Sequence, residues 1–367
     1  MSQVLIRIKK SFPFPKDDLE IIKRRILHWA NQRDILLFLD SNEYVHTQGR
    51  YECLCGVDAL LAIEQDDAQL TGLKTEFSQQ KDWLFGHFSY DFKNKLEKLS
   101  SHHTAKHHFP DLYFFRPQTV CYIHRGENVL WIETLDPADP QDVWNEIQDL
   151  EIQTSLPNNK PFVFEKRMQQ EEYVSTIEKL KKHIVAGDCY EINFCNEAFC
   201  NKVNINPLPA FEKLNSISKA PFAAYYKLKR HALMCASPER YLYKNKAVIT
   251  AQPIKGTAAR SADREQDELQ KDKLRNDTKE RSENVMIVDL MRNDLARFCE
   301  PNSVIVEELF GIYTFPQVHQ MISSISGKLR DDLSLFDAIR FSFPMGGNAT
   351  LWLLAGSTKR MSPVFQM

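Results

Sequence analysis

The chain has 367 residues, of which 47 are basic and 49 acidic for a net charge of -2, and 43% are hydrophobic. Roughly 100–200 residues per domain makes this two or three units, and the even charge gives no reason to propose nucleic acid or an anionic membrane as partner, though a locally basic pocket for a small anion stays open. The start, MSQVLIRIKKSF, lacks the apolar stretch of a secretory signal, no run approaches the roughly 18 apolar residues of a spanning helix, and scattered cysteines without a CxxC pair point to reduced thiols in the cytoplasm.

An amphipathic pattern from Asp17 to Gln32, with Leu19, Ile22, Ile26 and Trp29 at helical spacing, predicts the first helix. Ile35–Leu39 and Trp83–Phe88 read as buried strands, Val129–Ile132 as another, and Pro157, Asn158, Asn159 and Pro161 mark a connection near 154–163. Glu171–Ala186 carries Tyr173, Ile177, Leu180 and Ile184 at helical spacing, and Gly187 stops it as a C-terminal cap does. A strand is expected over Tyr190–Cys195 and a helix around Pro209–Asn215. Strands follow at Ala223–Leu228 and Ala232–Cys235, then a hairpin near Tyr241–Ile249 and a strand at Ile254. One long helical region from Asp263 to Phe298 dominates the rest. Helices and antiparallel-looking strands in mixed order argue for an α+β fold, and no GxGxxG or Walker sequence opposes that. No internal repeat or low-complexity segment interrupts the chain.

Three segments carry chemistry: Ser237-Pro238-Glu239-Arg240, then Gln252-Pro253-Ile254-Lys255-Gly256-Thr257, then the run from Glu283 through Asn284, Asp289, Arg292 and Asp294 to Leu295. On a helix, Glu283, Ile287, Leu290 and Asp294 fall on one stripe. A carboxylate at the head of an apolar stripe is costly unless it meets a cation, a metal or a donor. From the residues alone, Glu283 is either that or an edge residue reaching water. Lys255 is equally open to being a solvated strand-end lysine, and Glu239 a turn residue.

In this order, SPER, PIKGT and ENVMIVDLMRNDL resemble the chorismate-utilising enzymes: anthranilate, aminodeoxychorismate, isochorismate and salicylate synthases. Supporting matches are Gly187–Phe194, Val306–Leu309 and Phe343-Pro344, with Leu39–Asn42, Phe85–Asp91 and Phe114–Pro117 in the first half. The likeness runs from about residue 35 to residue 346. It implies two stacked antiparallel sheets with outer helices, an N-terminal region over residues 1–155 and a chorismate-binding catalytic region over 165–367, packed as one large unit. It also implies Mg²⁺, with Glu283 matching an acidic metal-site position.

Lys255 discriminates within the family. Anthranilate synthases usually read PIAGT, whereas PIKGT resembles aminodeoxychorismate synthase, in which the lysine is the nucleophile and Glu239 matches the general acid. Gly256 and Thr257 fall at substrate-binding positions of the motif. No lysine lies between Lys182 and Lys202, which argues against the water-adding branch. The family has His-Leu where this chain has Gln320-Met321, so no catalytic histidine is carried across, and His319 reads as a packing or a surface residue. The resemblance implies chorismate as substrate and a separate glutamine amidotransferase subunit as the source of ammonia. The Leu39–Asn42 region resembles the tryptophan pocket of anthranilate synthases. The alternatives are an anthranilate synthase large subunit and a catalytically dead remnant that only binds partner or ligand.

The pattern breaks after Gly346. The family continues into SxTGAPK and a tail that supplies a second acidic metal ligand and a carboxylate-binding loop, whereas Gly347 stands where serine is expected and the following residues match none of it. A frameshift or truncation, open sheet edges and an inactive chain are the expectations.

Overall fold

The computed structural model describes residues 6–44, 48–97, 99–101, 109–152, 163–189, 192–201 and 203–344, with strand backbone at 352–357 and 364–366. Most of the predicted break after Gly346, and the Pro157–Pro161 connection, lie outside those residues.

In the first half, β1 (Ile8–Pro13) leads through a 3₁₀ turn to helix α1 (Leu19–Asn31) and then to β2 (Ile35–Asp40) and β3 (Tyr51–Ile63). Helix α2 (Thr71–Gln79), β4 (Trp83–Phe88) and the short α3 (Lys93–Leu96) precede β5 (Leu112–His124), β6 (Val129–Thr134) and α4 (Pro140–Asp149). The predicted period of α1 is real: Ile22, Ile26, Leu27, Trp29 and Ala30 are buried against the sheet. The Trp29 indole donates to Glu146 of α4 at 2.7 Å. Helix α4 went unpredicted, although its start is locally coded: Asp139 accepts from the Gln141 amide, and Pro140 fills a position that needs no donor.

The long strands β3 and β5 also went unpredicted. Their register shifts twice, between Tyr51 and Cys53 and between Ala59 and Leu61, which breaks the two-residue alternation that betrays a half-buried strand.

The second half opens with β7 (Glu165–Lys166), α5 (Gln170–Ala186), β8 (Ala198–Phe199) and α6 (Pro207–Ser218). Gly187 caps α5 in the left-handed region at φ 84°, as its position predicts. The strand expected over 190–195 is not formed at 192–195, where Phe194 instead turns its ring onto Tyr173 of α5 at 5.3 Å; residues 190 and 191 lie outside the described residues. Strands β9 (Phe222–Leu228), β10 (His231–Ser237), β11 (Arg240–Asn245), β12 (Val248–Gln252) and β13 (Ile254–Ala259) then form consecutive pieces. The single predicted helix over 263–298 is two, α7 (Arg264–Asn276) and α8 (Thr278–Ala296). Asp277 divides them because its extended backbone lets its carboxylate cap the Glu280 amide at 2.9 Å. Strands β14 (Ile305–Thr314) and β15 (Val318–Lys328), helix α9 (Leu335–Ser342) and strands β16 (Trp352–Ser357) and β17 (Val364–Gln366) complete the order.

Every ladder is antiparallel. One run of strands is β10-β9-β2-β3-β5-β4, a second is β11-β12-β15-β13 with β14 also on β15, and β16 and β17 join them. Helices α1, α4 and α6 cover the first run over a core of Ile26, Phe38, Cys55 and Phe211. A second cluster takes side chains from both halves, Phe88 and Phe114 with Leu242, Ile287, Met291 and Ile339. That shared core holds α8 in place behind β13 and β15.

Candidate active site

The chemistry-bearing residues meet at a break in strand pairing. Beyond Ile254, which faces Ile322 of β15, the next registered pair is Thr257 with Gln320. Two residues, Lys255 and Gly256, therefore oppose one, Met321. Such a bulge kinks the strand and re-aims its side chains. The motif's lysine thus lies within β13, half-buried, rather than on a solvated end.

Glu239 is brought to the same place. It follows the Ser237-Pro238 corner between β10 and β11, where its amide donates to Ser237 Oγ at 3.1 Å. Its Oε1 accepts from the Ile254 amide at 3.4 Å, at the head of β13. The predicted acid thus reaches across 15 residues of sequence to the backbone of Ile254, the residue before the predicted nucleophile.

Gly256 decides how close the strand comes to the helices. Its φ is +93°, and a Cβ there would stand 3.2 Å from the Glu280 side chain and from Leu274. Only glycine satisfies both conditions without strain. Glu280, which the motif reading passed over, therefore borders the site. The Lys279 ammonium stands 3.2 Å from Glu280 Oε1 and 2.8 Å from Glu283 Oε1. These contacts, that with Glu283 first, hold the lysine in its charged form well above the usual range.

The stripe assigned to α8 needs correction. Its buried face is Asn284, Ile287, Val288, Met291 and Leu295, whereas Leu290 is 39% exposed and the Glu283 side chain 36%. Glu283 flanks the apolar face by one position, and Asn284 heads it. The physical reason is that both stripes satisfy a 3.6-residue period, and only packing against β15 selects one. Asp294, on the margin of this face, has its carboxyl pushed up to about 6 by burial, with Arg297 opposing. Thr257 is exposed, further along β13.

His319 is a packing residue, fully buried. Its Nδ1 meets Thr314 Oγ1 at 3.0 Å and its Nε2 meets Asp267 Oδ1 at 2.9 Å. Arg260 Nε donates to both Asp267 oxygens at 2.9 and 3.0 Å, and this contact, first among several, holds the Asp267 carboxyl well below the usual range. Asp267 lies 52 residues from His319 in sequence, so no local signal marked that bond. Glu280 did carry one, lying three residues before Glu283 on the same helix face.

The sequence profile described as "chorismate binding enzyme" matches residues 30–347. Aminodeoxychorismate synthase component 1 of Klebsiella aerogenes is 34% identical over 265 residues, 72% of this chain and 58% of that protein. The protein of the same name from Escherichia coli K12 is 30% identical over 295 residues, 80% of this chain and 64% of the relative. The chain thus spans less than two thirds of the length of these relatives. Among solved structures, anthranilate synthase component I from Streptococcus pneumoniae superposes with a TM-score of 0.68 at 19% identity, covering 83% of this chain and 74% of its own. The menaquinone-specific isochorismate synthase of Escherichia coli does so with a TM-score of 0.66 at 11% identity, covering 100% of this chain and 86% of its own. At those identities the likeness is one of fold, and it agrees with the antiparallel α+β architecture described above.

Proposed function

The chain belongs to the chorismate binding enzyme family, and from that premise we propose that its site serves the amination of chorismate to 4-amino-4-deoxychorismate, with Lys255 as nucleophile and Glu239 as general acid. The observation that supports this reading is the bulge at Lys255 and Gly256, which begins one residue after the Ile254 amide that the Glu239 carboxylate accepts from.

In the first step the neutral Lys255 amine bonds to ring C2. The ring double bond shifts, the C4–oxygen bond breaks, and the departing hydroxyl takes a proton from Glu239 to leave as water. Ammonia then bonds to C4, the double bond returns, and the C2–nitrogen bond breaks to restore Lys255. Each displacement is allylic, so the amine arrives at the carbon that lost oxygen. Gly256 lets the strand approach Glu280, and Thr257 offers a hydroxyl to substrate. An alanine at position 255, as in PIAGT, would leave no covalent route, which is why anthranilate synthesis is the second reading.

The acidic pair on α8 fits Mg²⁺. A primary ammonium already stands between Glu280 and Glu283 as a cation would, and one or two carboxylates suffice for an ion that keeps several waters. Among the described residues no group of three or more His, Cys, Asp or Glu side chains is placed to hold a metal. Bound there, Mg²⁺ would neutralise the carboxylate of the substrate. Ammonia is assigned to a separate glutamine amidotransferase subunit, and the location to the cytoplasm. No helix among the described residues is long and apolar enough to cross a membrane.

The test is mass spectrometry of the chain after incubation with chorismate, Mg²⁺ and ammonium. The expected result is an adduct on the Lys255 peptide that Lys255→Ala abolishes, together with aminodeoxychorismate in solution. Product formation at the same rate by Lys255→Ala refutes the covalent role, and absence of both adduct and product refutes the proposal.

A further inference from the structure

Strand β15 sorts its side chains sharply. His319, beside Ala258 on one neighbour and Thr314 on the other, is tied to helix α7 through Asp267. Because strand side chains alternate faces, its successor Gln320 lies on the opposite face, between Thr257 of β13 and Tyr313 of β14. The Tyr313 hydroxyl is spent on Glu308. The Gln320 Oε1 is buried and receives no hydrogen bond. A buried carbonyl without a donor carries a desolvation cost of about 1–3 kcal/mol, and such groups in folded proteins call for an explanation. This one sits at the registered pair that bounds the Lys255–Gly256 bulge, on a strand tied to α7 by the His319–Asp267 bond.

We infer that Gln320 is a substrate-contacting, specificity-determining residue whose Oε1 accepts a hydrogen bond from the ring hydroxyl of chorismate. The inference rests on the function proposed above and narrows it. A primary amide neither gives nor takes a proton near neutrality, so Gln320 does no acid–base work. Chorismate carries two carboxylates and an ether, all acceptors, and a single O–H donor. An orphan acceptor in its site therefore has one partner on the substrate. A hydroxyl that donates to Gln320 keeps its lone pairs free, and one of them then accepts the proton from Glu239. Gln320 thus selects for a ring that bears the hydroxyl and turns that group for departure.

The experiment is calorimetric titration of the chain, without ammonia, with chorismate and with an analogue in which hydrogen replaces the ring hydroxyl. Gln320→Met keeps the side-chain length and removes the amide, and Gln320→Leu serves as a second variant, with thermal unfolding as the check on folding. Loss of one neutral hydrogen bond weakens chorismate binding roughly threefold to tenfold while the analogue binds wild type and variant alike. Equal weakening of both ligands, or no weakening of either, overturns the inference and leaves the proposed function standing. Wild-type chain that binds neither ligand refutes that function and this inference with it. Failure of both variants to fold makes Gln320 a packing residue and also overturns the inference.

Discussion

Replacing Gly256 by alanine tests whether the close approach of β13 to α7 and α8 is what the glycine is for. Two costs combine there. The first is conformational: at φ +93° an L-residue is strained by about 1–2 kcal/mol. The smaller entropy of an unfolded alanine offsets about 0.4–1 kcal/mol of that. The second is steric. The new methyl stands 3.2 Å from Glu280 and Leu274, so the helix corner must shift, and overpacking of this kind costs about 1–3 kcal/mol. Gly126 provides the control, since its φ is +75° and a Cβ there meets nothing within 4 Å. Gly126→Ala therefore carries only the conformational term, about 1 kcal/mol or less net. The expected order in urea unfolding is wild type, then Gly126→Ala, then Gly256→Ala, the last about 2–4 kcal/mol below wild type. Gly256→Ala should also weaken chorismate binding, because it pushes Glu280 away, whereas Gly126→Ala should not. Equal stability of the two variants would refute the steric argument. Unchanged ligand binding in Gly256→Ala would refute the placement of Glu280 at the site.

Two further outcomes follow from buried charge. The Lys23 ammonium lies 2.9 Å from Asp40 and 3.1 Å from Glu52, all with side chains 3–4% exposed, so Lys23→Met strands two buried carboxylates and should cost about 3–5 kcal/mol in chemical unfolding; a loss under 1 kcal/mol would show that the triad relaxes into water. Asp294, with its carboxyl pushed up to about 6 in the folded state, binds its proton more tightly folded than unfolded, so its contribution is favourable below about pH 4 and is lost as pH rises to about 6. Asp294→Asn should therefore gain about 1–2 kcal/mol on wild type at pH 7, after discount for partial exposure, and little at pH 4; a gap independent of pH would exclude titration of this carboxyl as the cause.

Much of the local structure was written in neighbouring residues. The period of α1, the Gly187 stop after α5 and the hairpin of β11 and β12 each depend on contacts within a few positions, so composition and spacing suffice. The Asp277 division between α7 and α8 is local as well, but composition and spacing do not suffice for it, because helix-forming residues on both flanks hide the cap. The family resemblance of the Glu239, Lys255 and Glu283 motifs was likewise legible, and the profile match over 30–347 bears it out.

What only the tertiary structure decided is relative placement. Whether Glu283 or Asn284 heads the buried face of α8 depends on which side of the helix meets β15, and a 3.6-residue period accommodates both. The bulge at Lys255 exists because Thr257, rather than Gly256, registers with Gln320, a choice made between segments more than 60 residues apart. Glu280 borders the site because a glycine lets the strand reach it, and His319 is an anchor because Asp267 and Arg260 fold onto it from another element. Sequence spacing determines which residues can share a face. Register and helix docking, which minimise buried unpaired polar groups across the whole core, determine which of them meet.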